Sequence, residues 1–141
     1  MAGINIVRVV LGGIVAGVVI NIFEGVLNGW YLADQWTEVM ASINKADPGD
    51  DAIIWFNVIG FVIGLVAVWS YAAMRPRFGA GVKTAVYAAI PVWITAYVIA
   101  NAFMVIMGIE PLSLFYILVG VGFVEIVAAT IAGAYFYKEA A

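Results

Sequence analysis

Four apolar stretches, residues 9–33, 52–74, 84–106 and 112–137, make up most of this sequence. At about 1.5 Å of rise per residue, a helix built from any of them is long enough to cross a hydrocarbon core of about 30 Å. A water-soluble bundle is a poor competitor, because four such helices would leave almost no polar face for solvent. Composition agrees. Of 141 residues, 66% are hydrophobic and 11% charged, whereas a soluble domain is nearer a quarter charged. The expected fold is an all-α integral membrane protein: a compact antiparallel four-transmembrane-helix bundle, a single domain over residues 1–141, with helices at about 7–33, 50–74, 82–106 and 111–137. The first run follows Arg8 but is too long, and lacks the small-x-small pattern, for a cleaved signal peptide, so it is read as a helix of the bundle.

The charges between the runs set an orientation. Arg8, then Arg75, Arg77 and Lys83 in MRPRFGAGVK, and finally Lys138 fall on one side. The acidic segment ADQWTEVMASINKADPGDD and the short GIEP turn fall on the other. The excess of Lys and Arg places both termini and the second connection in the cytoplasm, N-in and C-in. Trp30, Tyr31, Trp36 and Trp55 would mark the outer interface, and Trp69, Tyr71, Phe78, Tyr135 and Tyr137 the inner one. In size and layout the chain resembles the small four-helix membrane proteins of bacteria, which implies a multi-pass protein of the cytoplasmic (inner) membrane. Small multidrug exporters share the layout and a first-helix carboxylate, but Glu24 lies too near the outer end of its helix, and no family is assigned.

Only the first connection has room for structure. Trp36, Val39, Met40 and Ile43 recur at helical spacing, predicting a short amphipathic outer helix at 36–45. It would either lie on the membrane surface or fold back over the bundle. Asp47 is expected to cap the second long helix with Pro48 at its first position, and Asp50 and Asp51 in the first turn. Glu110-Pro111 resembles a second such start. Pro91, inside the third run, removes the donor for the carbonyl of Tyr87 and predicts a kink.

Several chemistries are excluded by what the chain lacks. It has no histidine and no cysteine, so imidazole bases, thiolate chemistry and the usual zinc, haem and iron–sulfur ligands are missing. A net charge of −3 with six Lys and Arg argues against nucleic acid. No cofactor or metal is expected.

What remains are small and polar residues inside the apolar runs. Gly13, Gly17, Asn21, Gly25 and Gly29 recur every fourth residue and form a slowly drifting stripe, the usual device for bringing helix backbones together. Gly60 and Gly64 offer a matching stripe on the second helix. Asn21, Glu24 and Asn28 run beside the glycines as a polar strip. Counting about 1.5 Å per residue puts Glu24 roughly 9 Å below the outer interface, with Asn57 and Asn101 at roughly 7 to 9 Å. The same count from Pro111 puts Glu125 roughly 21 Å deep, about 12 Å from Glu24, with only Thr130, Gly120 and Gly122 as polar or small company on its own helix.

A charge at such depth costs at least about 2.5 to 3.5 kcal/mol, and no Lys or Arg lies in any of the four hydrophobic cores. Each acid must therefore be protonated and hydrogen-bonded, hydrated, cation-bound, or met by a partner's basic group. Two functions are expected on these grounds. One is a small accessory, assembly or structural subunit of a membrane complex, with the lipid bilayer and another membrane protein or further copies of itself as partners. The other is a proton- or cation-coupled small-solute carrier using Glu24 and possibly Glu125. An enzyme ranks third, because the acids are expected too far apart to divide acid and base roles and no nucleophile is paired with a base.

Overall fold

The computed structural model describes residues 3–139, and no strand occurs among them. Five helices run in order: α1 Ile6–Tyr31, α2 Ala33–Ser42, α3 Asp50–Phe78, α4 Val82–Ile106 and α5 Leu112–Tyr135. All except α2 are long and apolar enough to cross a membrane.

Local chemistry sets the ends. Asn5 caps α1, its side chain accepting from the backbone N–H of Arg8 at 3.2 Å. The start of α3 differs from the Asp47-Pro48 expectation: Gly49 occupies the cap, and the helix opens with Asp50 and Asp51. Asp47 instead accepts from the Thr37 hydroxyl at 3.1 Å, which draws it toward α2. α3 also runs past residue 74 through Pro76 to Phe78. It stops at Gly79, whose φ of 84° is a conformation that L side chains rarely adopt. The start after Glu110 falls one residue later than expected, with Pro111 as cap and Leu112 as first helical residue.

Two of the long helices widen locally into π turns. The first, Leu27–Tyr31, ends α1, with the Leu32 N–H reaching back five residues to the Leu27 carbonyl at 2.8 Å. The second, Ile94–Ile99, lies three residues after Pro91 in α4. Around it the Thr95 hydroxyl donates to the carbonyl of Pro91 at 2.9 Å. Such widened turns are uncommon and recur at functional sites.

The four long helices pack in the cyclic order α1, α3, α4, α5, with α3 and α5 also in contact across the middle. α1 and α3 run in opposite directions, since Gly12 faces Val68 whereas Asn21 reaches Asn57. A Cβ placed on Gly64 would lie 2.5 Å from the Gly17 backbone nitrogen and 2.6 Å from the Gly13 carbonyl oxygen. α1 meets α5 as closely, because a Cβ on Gly12 would lie 2.5 Å from the Gly133 carbonyl oxygen. Lipid tails are as apolar as Leu, so helix association in a bilayer draws on dispersion at such close approaches and on interhelical hydrogen bonds.

The core has two parts. The larger runs from Val9, Tyr71 and Tyr137 near the termini to Val92, Tyr97 and Ile126. The smaller joins Leu27, Leu32 and Val39 to Leu114 and Leu118, with Trp36 packed against it. In the first connection, Val39 and Trp36 of α2 join this smaller core at the ends of α1 and α5. Helix α2 spans Ala33–Ser42, earlier than 36–45.

Candidate functional site

Near the α2 end of the bundle, side chains from four helices join in one hydrogen-bonded chain. Glu24 and Asn28 lie one turn apart on α1, and the Asn28 amide nitrogen donates to Glu24 Oε2. The Trp36 indole N–H, from α2, donates to Asn28 Oδ1 at 2.8 Å and fixes which way that amide faces. On the other side of Glu24 stands Tyr97 of α4, its hydroxyl oxygen 3.3 Å from Glu24 Oε1. The same hydroxyl oxygen is 2.6 Å from Glu125 Oε1 of α5.

Each member is positioned by a local feature of its helix. Asn28 belongs to the π turn that ends α1, and Tyr97 to the π turn of α4. Gly122 makes room for the phenol, because a Cβ there would overlap the Tyr97 ring. The Trp93 indole N–H donates to the Val119 carbonyl at 2.9 Å one turn before Tyr97, and so fixes α4 on α5. Glu125 is wholly buried, Tyr97 buried and Glu24 half-buried. The second oxygen of Glu125 has no hydrogen-bond partner among the described residues.

A count of hydrogens restricts the site's charge. A phenol carries one hydrogen and can donate it to one acceptor. Tyr97 nevertheless lies within hydrogen-bond distance of two carboxyl oxygens. For both contacts to be hydrogen bonds, one carboxyl group must itself carry a hydrogen and donate it to the phenol oxygen. The cluster is then two acids sharing one added proton, a common solution where two carboxylates cannot both ionise at close range. Between its ends, no long helix carries a Lys or Arg that could neutralise a second charge.

This arrangement differs from the depth estimate, which set the two acids about 12 Å apart along the membrane normal. Both reach one oxygen atom. The count assumed straight helices starting at one level; α1 ends in a π turn, and the long Glu and Tyr side chains span what separation remains.

The asparagines are distributed differently as well. Asn21 donates to the Asn57 backbone carbonyl at 3.2 Å, and Asn57 to the Ile53 carbonyl of its own helix at 2.8 Å. Asn101 donates to the Tyr97 carbonyl at 2.8 Å, so it supports the π turn without touching either acid. Of the glycines, Gly13 and Gly17 meet Leu65 and Phe61, Gly64 meets α1, and Gly60 meets Asn21; Gly25 and Gly29 have nothing within 4 Å of an added Cβ. Sequence reasoning missed Tyr97, and it placed Trp36 at the outer interface and Gly122 near Glu125 without joining either to the cluster. A signal existed for Tyr97: a tyrosine in the middle of an apolar run has a hydroxyl that must find a partner there.

Two cavities lie elsewhere. One of about 340 Å³ lies toward the termini among Tyr71, Val82, Ala85 and Tyr135, and one of about 210 Å³ lies between Ala102, Ile106, Leu112 and Phe115. Neither is lined by Glu24, Tyr97 or Glu125. No group of three or more Asp or Glu able to hold a metal ion occurs among the described residues. Compared with protein-family models, curated proteins and solved structures, the chain matches none of them.

Proposed function

We propose that this chain is a small accessory, assembly or structural subunit of a membrane complex, in which the acid–phenol–acid cluster ties the bundle together. One observation carries the reading: Glu24 and Glu125, from α1 and α5, are both answered by Tyr97 of α4, so three helices meet at one hydroxyl. The backbone-to-backbone contacts of Gly13, Gly17 and Gly64 support it, because helices so close have little freedom to part. The charge distribution favours a bacterial cytoplasmic membrane with both termini inside. Partners are the surrounding lipid and either a second membrane protein or further copies of the chain.

A second reading, a proton- or cation-coupled carrier, draws on the asymmetry of the same cluster: Glu24 is half-buried while Glu125 is sealed. One reconstitution separates the two. Vesicles holding the purified chain and dyes sensitive to pH, Na⁺ and K⁺ should show no flux of these ions above empty vesicles under a pH gradient or a membrane potential. Cross-linking in native membranes should yield one discrete assembly. Flux that is abolished by Glu24→Gln or Glu125→Gln would reverse the order of the readings.

A further inference from the structure

We infer that Glu24, Tyr97 and Glu125 form a binding site for one exchangeable proton, with the Tyr97 hydroxyl as the relay that passes it between the two acids. This deepens the second reading and rests on the same site, but it needs no solute to be carried.

Two hydrogen-bond patterns fit the geometry. In the first, Glu24 carries the proton on Oε1 and donates it to the Tyr97 oxygen, while Tyr97 donates its own hydrogen to the Glu125 carboxylate. In the second, Glu125 is the protonated acid, and Tyr97 donates to the Glu24 carboxylate. The exchange balances: the Glu24 proton moves to the phenol oxygen as the phenol hydrogen moves to Glu125 Oε1. One O–H bond breaks and one forms at Tyr97, which stays neutral, and the negative charge passes from Glu125 to Glu24. No group need move far, since the hydroxyl oxygen already stands 3.3 Å from one acid and 2.6 Å from the other.

The remaining contacts assign the ends of the relay. Asn28 donates to Glu24 Oε2, which leaves Oε1 as the proton-bearing oxygen facing Tyr97. Glu24 is the half-buried acid, under the Asn28–Trp36 bridge to α2, and so is the more accessible end of the relay. Glu125 is the closed terminus, wholly buried and with its second oxygen unpartnered among the described residues.

Outside the helices the buried acid is Glu110, in the α4–α5 connection; on the helices themselves no other charge stands beside the site. Among titratable groups, α1 has only Arg8 and Tyr31 besides Glu24, near its ends; α3 has Asp50 and Asp51 at one end and Tyr71, Arg75 and Arg77 toward the other. α4 has Lys83 and Tyr87 besides Tyr97, α5 has Tyr116 and Tyr135 besides Glu125, and α2 has Asp34 and Glu38, both exposed.

The test is infrared spectroscopy of the protonated-carboxyl stretch, with hydrogen–deuterium exchange, on the full chain in lipid nanodiscs near neutral pH. Wild type should show a band equivalent to one protonated carboxyl per chain. Glu24→Gln mimics the first pattern and Glu125→Gln the second, each with an amide N–H in place of the shared proton, so each should lose the whole band while keeping its helical circular dichroism. Tyr97→Phe, which separates the acids, should shift the band. Should Tyr97→Phe fail to fold, the two Gln variants decide. A wild type without the band, or a band unchanged in either Gln variant or in a folded Tyr97→Phe, overturns the inference. Vesicle flux is a separate arm: its absence leaves this result intact, while an unchanged band removes the relay whatever the flux.

Discussion

The two halves of α1 use the same spacing to opposite ends. Toward the termini, Gly12, Gly13 and Gly17 press against α3 and α5 so closely that an added Cβ would collide with backbone atoms of the facing helix. Beyond Asn21 the four-residue rhythm continues through Gly25 and Gly29, yet nothing stands within 4 Å of either. There α1 is held by Glu24 and Asn28, and it widens into a π turn before meeting α2. Bare backbone contact and a polar cluster are the two means of helix association in lipid, and this helix devotes one half to each. A small residue at the right spacing permits close approach, but the opposing helix decides whether it occurs.

The sharpest break of the contact half is Gly64→Val. The new Cβ would fall 2.5 Å from the Gly17 nitrogen and 2.6 Å from the Gly13 oxygen, both backbone atoms that cannot rotate away, so α1 and α3 must separate. Unfolding by SDS titration from mild detergent should show a loss of about 3 kcal/mol, at the upper end for overpacking. A variant as stable as wild type would mean that these helices do not meet as described.

The polar half breaks differently. Tyr97→Phe keeps the ring on Gly122 and removes only the oxygen shared by Glu24 and Glu125. Leaving buried polar groups without their partner costs about 1–3 kcal/mol, so a loss of about 2 kcal/mol is expected by the same titration. Combined with Glu24→Gln, the loss should be less than additive, because both changes act on one network. Strict additivity would show that these contacts are not coupled.

The contrast between the halves was only partly legible in the sequence. The four long apolar helices can be read from run length alone, because a bilayer leaves few ways to satisfy a buried backbone. The strip of Asn21, Glu24 and Asn28 can be read from spacing, but spacing treats all three alike. In the structure Asn21 turns to the Asn57 carbonyl, and only Asn28 joins Glu24. Tyr97 escaped notice because its facing depends on a π turn, which adds a residue to one turn and rotates the rest of the helix; Pro91 signals a disturbance without saying how it resolves. Glu125 looked solitary on α5 because its partner comes from another helix, and no pattern within one segment reports that pairing.

Glu110 gives a smaller effect outside the four spans. It is 3% exposed, and neither carboxyl oxygen has a partner among the described residues. Burial raises its pKa above the ordinary carboxylate value of 4.5. The folded state therefore holds this proton more tightly than the unfolded chain, so Glu110 stabilises the fold fully at pH below 4.5 and loses that contribution as pH rises through the raised value. Glu110→Gln, neutral at every pH, should be more stable than wild type at neutral pH and converge with it in acid. A difference that stays constant across the titration would show that this carboxyl ionises as freely folded as unfolded.

The smallest expected change tests the comparison most directly, because it places the same substitution on both halves of one helix. Gly25→Ala adds a methyl group where nothing stands within 4 Å. What remains is the backbone term, in which alanine is favoured over glycine within a helix by roughly 0.5–1 kcal/mol. Gly25→Ala should therefore stabilise the protein slightly. Gly17→Ala gains the same backbone term but sets its methyl group against the Phe61 ring and 2.8 Å from the Phe61 Cα. The side chain can rotate, but the Cα can move only with α3, so the net effect should be destabilising. Opposite signs for two Gly→Ala changes eight residues apart would show that the four-residue spacing holds helices together only where another backbone lies against it. Equal signs would return both glycines to a single packing role and remove the distinction between the two halves of α1.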